Sequence, residues 1–173
     1  MGQGSFEEFE NKLKEFVRSS GIDAEQLIFG VSVHTVGEAA KALGRDASDL
    51  IKSVVMIRRD GVFVAIVPGT DRVSPQKVGS VTGFPAPRSA TPREVLHHTG
   101  YPIGGVPPFG YSATVLIDPS VLWKEVVFGG GGSPRALLKV RPSDLLRVTR
   151  GTTVDIRETR ESWGLGGSEP ETK

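Results

Sequence analysis

Lys52 is the side chain whose setting in this sequence most invites chemistry. It stands in LIKSVV, beside Ser53 and between apolar residues. In a strand, alternate residues share a face. The spacing therefore sets Ile51, Ser53 and Val55 on one side, and Lys52, Val54 and Met56 on the other. An ammonium on or beside an apolar face either snorkels to the rim or serves a site. At a site it would hold an anion, orient a substrate, or act as a base once desolvation lowers its pKa. Two glycine-rich stretches offer a complementary chemistry. GYPIGGVPPFGY, residues 100–111, has no charged side chain, no strong nucleophile and no metal ligand. Its glycines let the backbone approach a ligand closely, and its prolines stiffen it into a wall. The run of four glycines at 129–132 is followed by Ser133 and Pro134. Backbone N–H groups bared in this way form neutral sites for an anion or a carbonyl oxygen. Taken singly, each loop also reads as a plain connecting turn. GGVPPFG lacks the GK[ST] ending of a phosphate loop.

Other chemistries find little support. There is no cysteine among the 173 residues, hence no disulfide, no thiolate nucleophile and no Cys-ligated zinc. The three histidines include the adjacent pair His97 and His98, and side by side on a helix they point apart, so no metal site and no cofactor is expected. His34 reads as a surface or capping-region residue. Trp123 and Phe128 read as core, and Asp118 as a cap. No Ser-His-Asp order has a workable spacing. With 21 basic and 20 acidic residues the net charge is +1, which is not the strongly basic balance of a sequence-independent nucleic-acid binder. Lys77, Arg88, Arg93, Lys139 and Arg141 remain candidates for a local cationic patch. No apolar run approaches the ~20 residues of a membrane span, so a soluble, cytoplasmic protein is expected.

The elements that must position these groups follow from periodicity and punctuation. FEEFENKLKEFVRSSG has apolar residues at helical spacing and a terminal glycine. LIFGVSV (27–33) has strand character. TVGEAAKALG is a helix capped by Thr35. IKSVVMIRR and VFVAIVPG, joined by Asp60-Gly61, form the clearest hairpin. SPQKVGSVTG is a short helix and FPAPRSA an extended link. TPREVLHHTG carries a full helix grammar: Thr91 caps, Pro92 starts, Glu94 completes a capping box and Gly100 stops it. TVLIDPSVLW gives a strand and turn, KEVVFGGGG and RALLKVR give strands, and PSDLLRVTRG a helix. The sum predicts a single mixed α/β domain with a central, partly antiparallel, barrel-like sheet surrounded by helices. It divides into an N-terminal helix (1–25), a main domain (26–150) and a C-terminal extension (151–173) that ends in a frayed tail, GGSEPETK.

The order EAAKALG, LIKSVV, VFVAIVPGTDRVS, VLHHTGYPIGGVPPFG, VLIDPSVL, VVFGGGG and PSDLLRVT resembles the YbaK/ProX family of aminoacyl-tRNA deacylases, related to the editing domain of bacterial prolyl-tRNA synthetases. The resemblance covers roughly residues 30 to 150. It implies that the family's essential lysine falls on Lys52 and the neighbouring small hydroxyl on Ser53. It places the substrate loop on Gly104, Gly105, Val106, Pro107, Pro108, Phe109 and Gly110, and the later glycine loop on Gly129, Gly130 and Gly131. The implied partner is the 3′ acceptor end of a mischarged tRNA, and the implied reaction is hydrolysis of its ester without a metal. Some members carry a serine at the start of the second loop and an aspartate further along; those places here hold Gly129 and Ala136. The residue after the first loop, often His or Gln in the family, is Tyr111. Two other readings stand beside the enzyme. One is a binding module that recognises an aminoacyl or nucleotide end without turnover. The other is a subunit that docks on a synthetase through its N-terminal helix.

Overall fold

The computed structural model describes residues 5–159 and 172–173. Helix α1 (Phe6–Ser20) begins where the Ser5 hydroxyl accepts the Glu8 N–H and ends at Gly21 in the left-handed conformation. Strand β1 (Ala24–Ile28) follows, then α2 (Val36–Leu43), whose first turn is capped by the Thr35 hydroxyl. The hairpin β2 (Ile51–Arg58) and β3 (Gly61–Pro68) pairs Lys52 with Val67 and Ser53 with Ile66. Next come α3 (Pro75–Thr82), the two-residue β4 (Arg88–Ser89) and α4 (Pro92–Thr99). The full capping box of Thr91 and Glu94 is present in α4. Strand β5 (Thr114–Ile117), β6 (Val127–Gly130), β7 (Ala136–Val140), α5 (Pro142–Thr149) and β8 (Thr152–Thr153) complete the order.

The sheet expected at the centre is split in two, and it does not close into a barrel. One sheet runs β1-β7-β6, all antiparallel; the other runs β4-β2-β3-β5-β8 and is mixed, since β3, β5 and β8 are parallel neighbours. They meet where Leu50 and Phe128 form a parallel bridge between the entrance to β2 and β6. Beyond that bridge, Lys52 and the glycine run proceed in the same direction. A Cβ at Gly130 or Gly131 would collide with backbone atoms, so the end of β6 and the residue after it pass close over other main chain.

Three apolar clusters hold the layers. The largest joins Leu13 of α1, Ile51 and Val55 of β2, Leu138 of β7 and Leu145 of α5 with Val106 and Phe109 of the first loop. The second contains Met56, Phe63, Val67, Leu116 and Ile156; the third contains Val36, Leu50, Phe128 and Leu137. Phe128 is core as expected, but Trp123 is 77% exposed. It ends the short 3-10 turn Pro119–Trp123, in which Asp118 caps and Ser120 and Val121 are buried. Strand β1 also stops at Ile28, well before Val33. Its partner β7 begins only at Ala136, and the N–H groups of Phe29 and Val33 donate to the turn carbonyls of Arg135 and Pro134 instead.

The chain after residue 150 is built into the fold as far as it is described. β8 extends the larger sheet, and Ile156 is fully buried, which is worth roughly 2–5 kcal/mol against alanine. Arg157 reaches Asp71 at 3.0 Å and the buried Asp118 at 3.1 Å. Most of the frayed tail expected at the C-terminus falls on 160–171, outside the described residues; Thr172 bridges to Thr35.

Candidate active site

The first loop is launched by Gly100, the left-handed residue that closes α4. Its side chains turn inward: Tyr101, Val106 and Phe109 are each no more than 3% exposed. The Gly105 N–H donates to the Pro102 carbonyl at 3.0 Å and folds the loop back on itself. The Tyr111 hydroxyl donates to the Pro107 carbonyl at 2.7 Å and ties down the far end. Burial, with Tyr101 nearby, pushes the Tyr111 phenol well above its usual range, and the Ser53 hydroxyl opposes that shift. So Tyr111, at the position where the resembled family often has His or Gln, links the loop to the residue beside Lys52. The prolines leave three loop positions without donors, and their rings stiffen the wall as the sequence suggests.

The second loop interlocks with the first. A Cβ on Gly130 would lie 2.1 Å from the Val106 carbonyl oxygen, and one on Gly105 would lie 2.6 Å from the backbone of Ser133. Only glycine permits main chain to cross main chain at these separations. The Gly132 N–H donates to the Gly105 carbonyl at 2.8 Å, and the Gly131 N–H to the Ala136 carbonyl at 3.0 Å. The amides of Gly105, Gly131 and Gly132 are thus used to build the loops. Among the described residues, those of Gly104 and Val106 take part in no backbone hydrogen bond. Gly129 sits against Ile51 and Pro108, so β2 is the floor beneath both loops.

A cavity of about 160 Å³ opens between β2, the start of α4 and the first loop. Its walls include Ser53, Val54, Val55, Ser89, Ala90, Val95, Ile103 and Val106, and they are mostly apolar. Of the residues expected at the site, Ser53 and Val106 line it. Lys52 is 7% exposed. Strand alternation puts it on the side of Val54, Met56 and Val67, where the second cluster lies, rather than on the Ser53 side. Gly104, Gly105, Pro107, Pro108, Phe109, Gly110, Gly129, Gly130 and Gly131, also expected at the site, are not among the residues that line it. His34 is closer to this assembly than its sequence position suggested. Its ring packs so tightly on Gly104 that a Cβ there would fall 1.9 Å from Nδ1. No short-range pattern signals that contact, because it joins residues 70 positions apart.

Thr172 and Lys173 also line the cavity. The Lys173 N–H donates to the His34 carbonyl at 3.2 Å, and its ammonium donates to the Ala136 carbonyl at 3.2 Å. Burial pulls its pKa down to about 7. A free lysine titrates near 10.4, so docking of this side chain should be strongest above that pH. It weakens tenfold per unit as pH falls toward 7 and is level below. NMR titration of the lysine side chains is therefore expected to show one amine with a midpoint near 7. Titration of every lysine near 10 would place Lys173 outside the cavity.

The candidate cations are dispersed. Lys77 pairs with Asp155 at 2.9 Å, Arg88 with Glu94 at 2.8 Å, and Arg141 approaches Asp23 at 3.7 Å. Arg88 flanks the cavity through its neighbour Ser89, whereas Lys77 lies by the Arg157 cluster on α3. No helix among the described residues is long and apolar enough to cross a membrane.

The fold is a mixed α+β domain built on two sheets with a small apolar cavity beside β2, and the comparisons place it in a family. Residues 31–148 match the model of the aminoacyl-tRNA editing domain, and the chain belongs to that family. It is 34% identical over 121 residues to the uncharacterized protein YwhH of Bacillus subtilis, covering 68% of this chain and 76% of that one. It is 30% identical over 129 residues to the proline–tRNA ligase of Thermosipho melanesiensis, covering 73% of this chain but 21% of the ligase, so it spans about a fifth of that relative. Among solved structures, a protein proposed as a trans-editing enzyme for prolyl tRNA synthetase superposes with a TM-score of 0.81 at 31% identity, covering 87% of this chain and 97% of that one. The hypothetical protein APE2540 gives a TM-score of 0.79 at 33% identity, covering 85% and 99%.

Proposed function

We propose that this chain is a trans-acting deacylase that hydrolyses the ester between a wrongly attached amino acid and the 3′ end of a tRNA. The observation that carries the reading is the pair of interlocked glycine loops, which brings Val106, whose amide takes part in no backbone hydrogen bond among the described residues, to the wall of a small apolar cavity that Ser53 also lines. Water attacks the ester carbonyl, the carbonyl oxygen gains negative charge, and the tetrahedral species collapses to free amino acid and the ribose hydroxyl of the tRNA. A preorganised backbone donor at that oxygen contributes ~3–4 kcal/mol. The cavity holds the aminoacyl side chain. Its volume, equal to roughly five water molecules, admits a small side chain and excludes the adenosine, which stays at the mouth. Entry displaces Thr172 and Lys173 from the wall. Lys52, at the start of β2, holds the terminal phosphate or ribose as an ammonium, or takes a proton from water as the neutral amine.

Support from relatives is the family match together with the protein proposed to edit for prolyl tRNA synthetase. That relation makes proline tRNA carrying a small wrong amino acid the first substrate to try. The test is a panel of misacylated tRNAs, with hydrolysis of at least one expected well above its spontaneous rate. No acceleration on any member would end the enzyme reading. Saturable binding of an aminoacyl-adenosine analogue without turnover would leave the binding module, which is favoured by the presence of Ala136 where relatives of the resembled family carry an acid.

A further inference from the structure

Helix α1 lies outside the residues that match the editing-domain model, yet it touches both glycine loops. Glu10 is the point of contact with the second. Its side chain is 8% exposed and accepts three hydrogen bonds: from the Ser133 hydroxyl at 2.8 Å, Arg135 Nε at 2.7 Å and Arg135 Nη2 at 3.2 Å. The backbone joins in. Gln26 Nε2 donates at 2.9 Å both to the Glu10 carbonyl and to the Gly131 carbonyl, and a Cβ on Gly132 would lie 3.0 Å from the Phe9 carbonyl oxygen. Further along the same helix, the Lys12 ammonium stands 4.7 Å over the Tyr101 ring and donates to the Gly100 carbonyl at 3.4 Å. The Phe16 ring stacks on Phe109 at 5.5 Å. Residues 9, 10, 12 and 16 therefore span both loops from one rigid rod.

We infer that Glu10 is a positioning residue: through Ser133 and Arg135 it fixes the second glycine loop, and α1 thereby sets the spacing of the two loops on which turnover depends. The chemistry suits that task. A carboxylate that accepts from a guanidinium fork and a hydroxyl at once has defined geometry, and such charge-assisted bonds are about twice as strong as neutral ones. The Arg135 hydrogen bond holds the Glu10 carboxyl below the usual range, so it stays ionised across the pH range in which an ester can be assayed. Ser133 is fully buried and touches Gly105 through its backbone, so a shift at Glu10 reaches the first loop through one intermediate residue. The apolar residues Phe9, Leu13, Phe16 and Val17 of α1 pack in the largest cluster, which also holds Val106 and Phe109 of the first loop.

The kinetic arm of the test rests on the deacylase reading; the exchange arm does not. Glu10→Ala is expected to lower kcat at least tenfold with KM for the aminoacyl-tRNA within threefold, while Glu10→Gln, which keeps an acceptor for Ser133, recovers part of the loss. Hydrogen exchange of the peptide covering 127–133 is expected to accelerate in Glu10→Ala while the β2–β3 hairpin keeps its protection. Unchanged exchange in 127–133 overturns the inference whether or not any tRNA is hydrolysed. So does equal acceleration in the β2–β3 hairpin and the loop peptides, which would report global destabilisation. If the wild type hydrolyses nothing, the deacylase reading fails alone, and the exchange result still decides the role of Glu10.

Discussion

Gly130→Ala should cost the protein both its fold margin and its turnover, although the change adds one methyl group. The new Cβ would lie 2.1 Å from the Val106 oxygen, 2.6 Å from its carbonyl carbon and 2.9 Å from the Gly105 carbon. All three are main-chain atoms, so no side chain can swing aside. Overpacking of this kind typically costs 1–3 kcal/mol, and the absence of any flexible neighbour sets the expectation at the upper end, about 3 kcal/mol. For a chain of this size that lowers Tm by roughly 6–12 °C. Relief of the clash must push the first loop away from β6, which carries the Gly104 and Val106 amides off their positions. Activity measured well below the new Tm is therefore expected to fall at least a hundredfold. Gly37→Ala is the control. It sits on an exposed face of α2 with nothing within 4 Å of the added atom, and it should gain about 0.5–1 kcal/mol. Wild-type melting and turnover in Gly130→Ala would show that the loops do not interlock.

Lys52→Met is expected to remove at least a hundredfold of deacylation while Tm changes by only a few degrees. Methionine keeps most of the apolar stem on the second-cluster face but not the charge, so packing and electrostatics separate. Lys52→Arg should not restore activity, because a planar guanidinium cannot take the place of a compact ammonium at a position 7% exposed. Turnover within threefold of wild type in Lys52→Met would strip Lys52 of its role and leave the reaction to the loops and water. The alternation that sets Lys52 opposite Ser53 sharpens this test, since the two neighbours lie on different faces of β2 and only Ser53 lines the cavity.

Much of this arrangement was readable from residue order. The β2–β3 hairpin, the capping box of α4 and the stops at Gly21, Gly44 and Gly100 are local features, written within a few residues of each other, and they stand where periodicity and punctuation put them. What escaped is what long-range contact decides. Trp123 is as hydrophobic as Phe128 in sequence, but only Phe128 bridges to β2; Trp123 follows Val121 out of a short 3-10 turn. The interlock of the loops depends on where the glycine run meets Val106, a contact across 24 positions. The glycines were legible as sites of close approach. That they approach each other first, and use three of their amides in doing so, was not.

The interlock also bears on how such a site diverges. Gly105, Gly130 and Ser133 each occupy space that the other loop would need for a side chain, and Glu10 clamps the result from a helix beyond the family match. Neither loop is then an independent module. An attempt to graft a new amino-acid preference by importing only the 104–110 segment from a relative would meet a second loop cut for the old one. The heritable cassette is discontinuous: the opening helix, the proline wall and the glycine run travel as one piece, or the graft does not take.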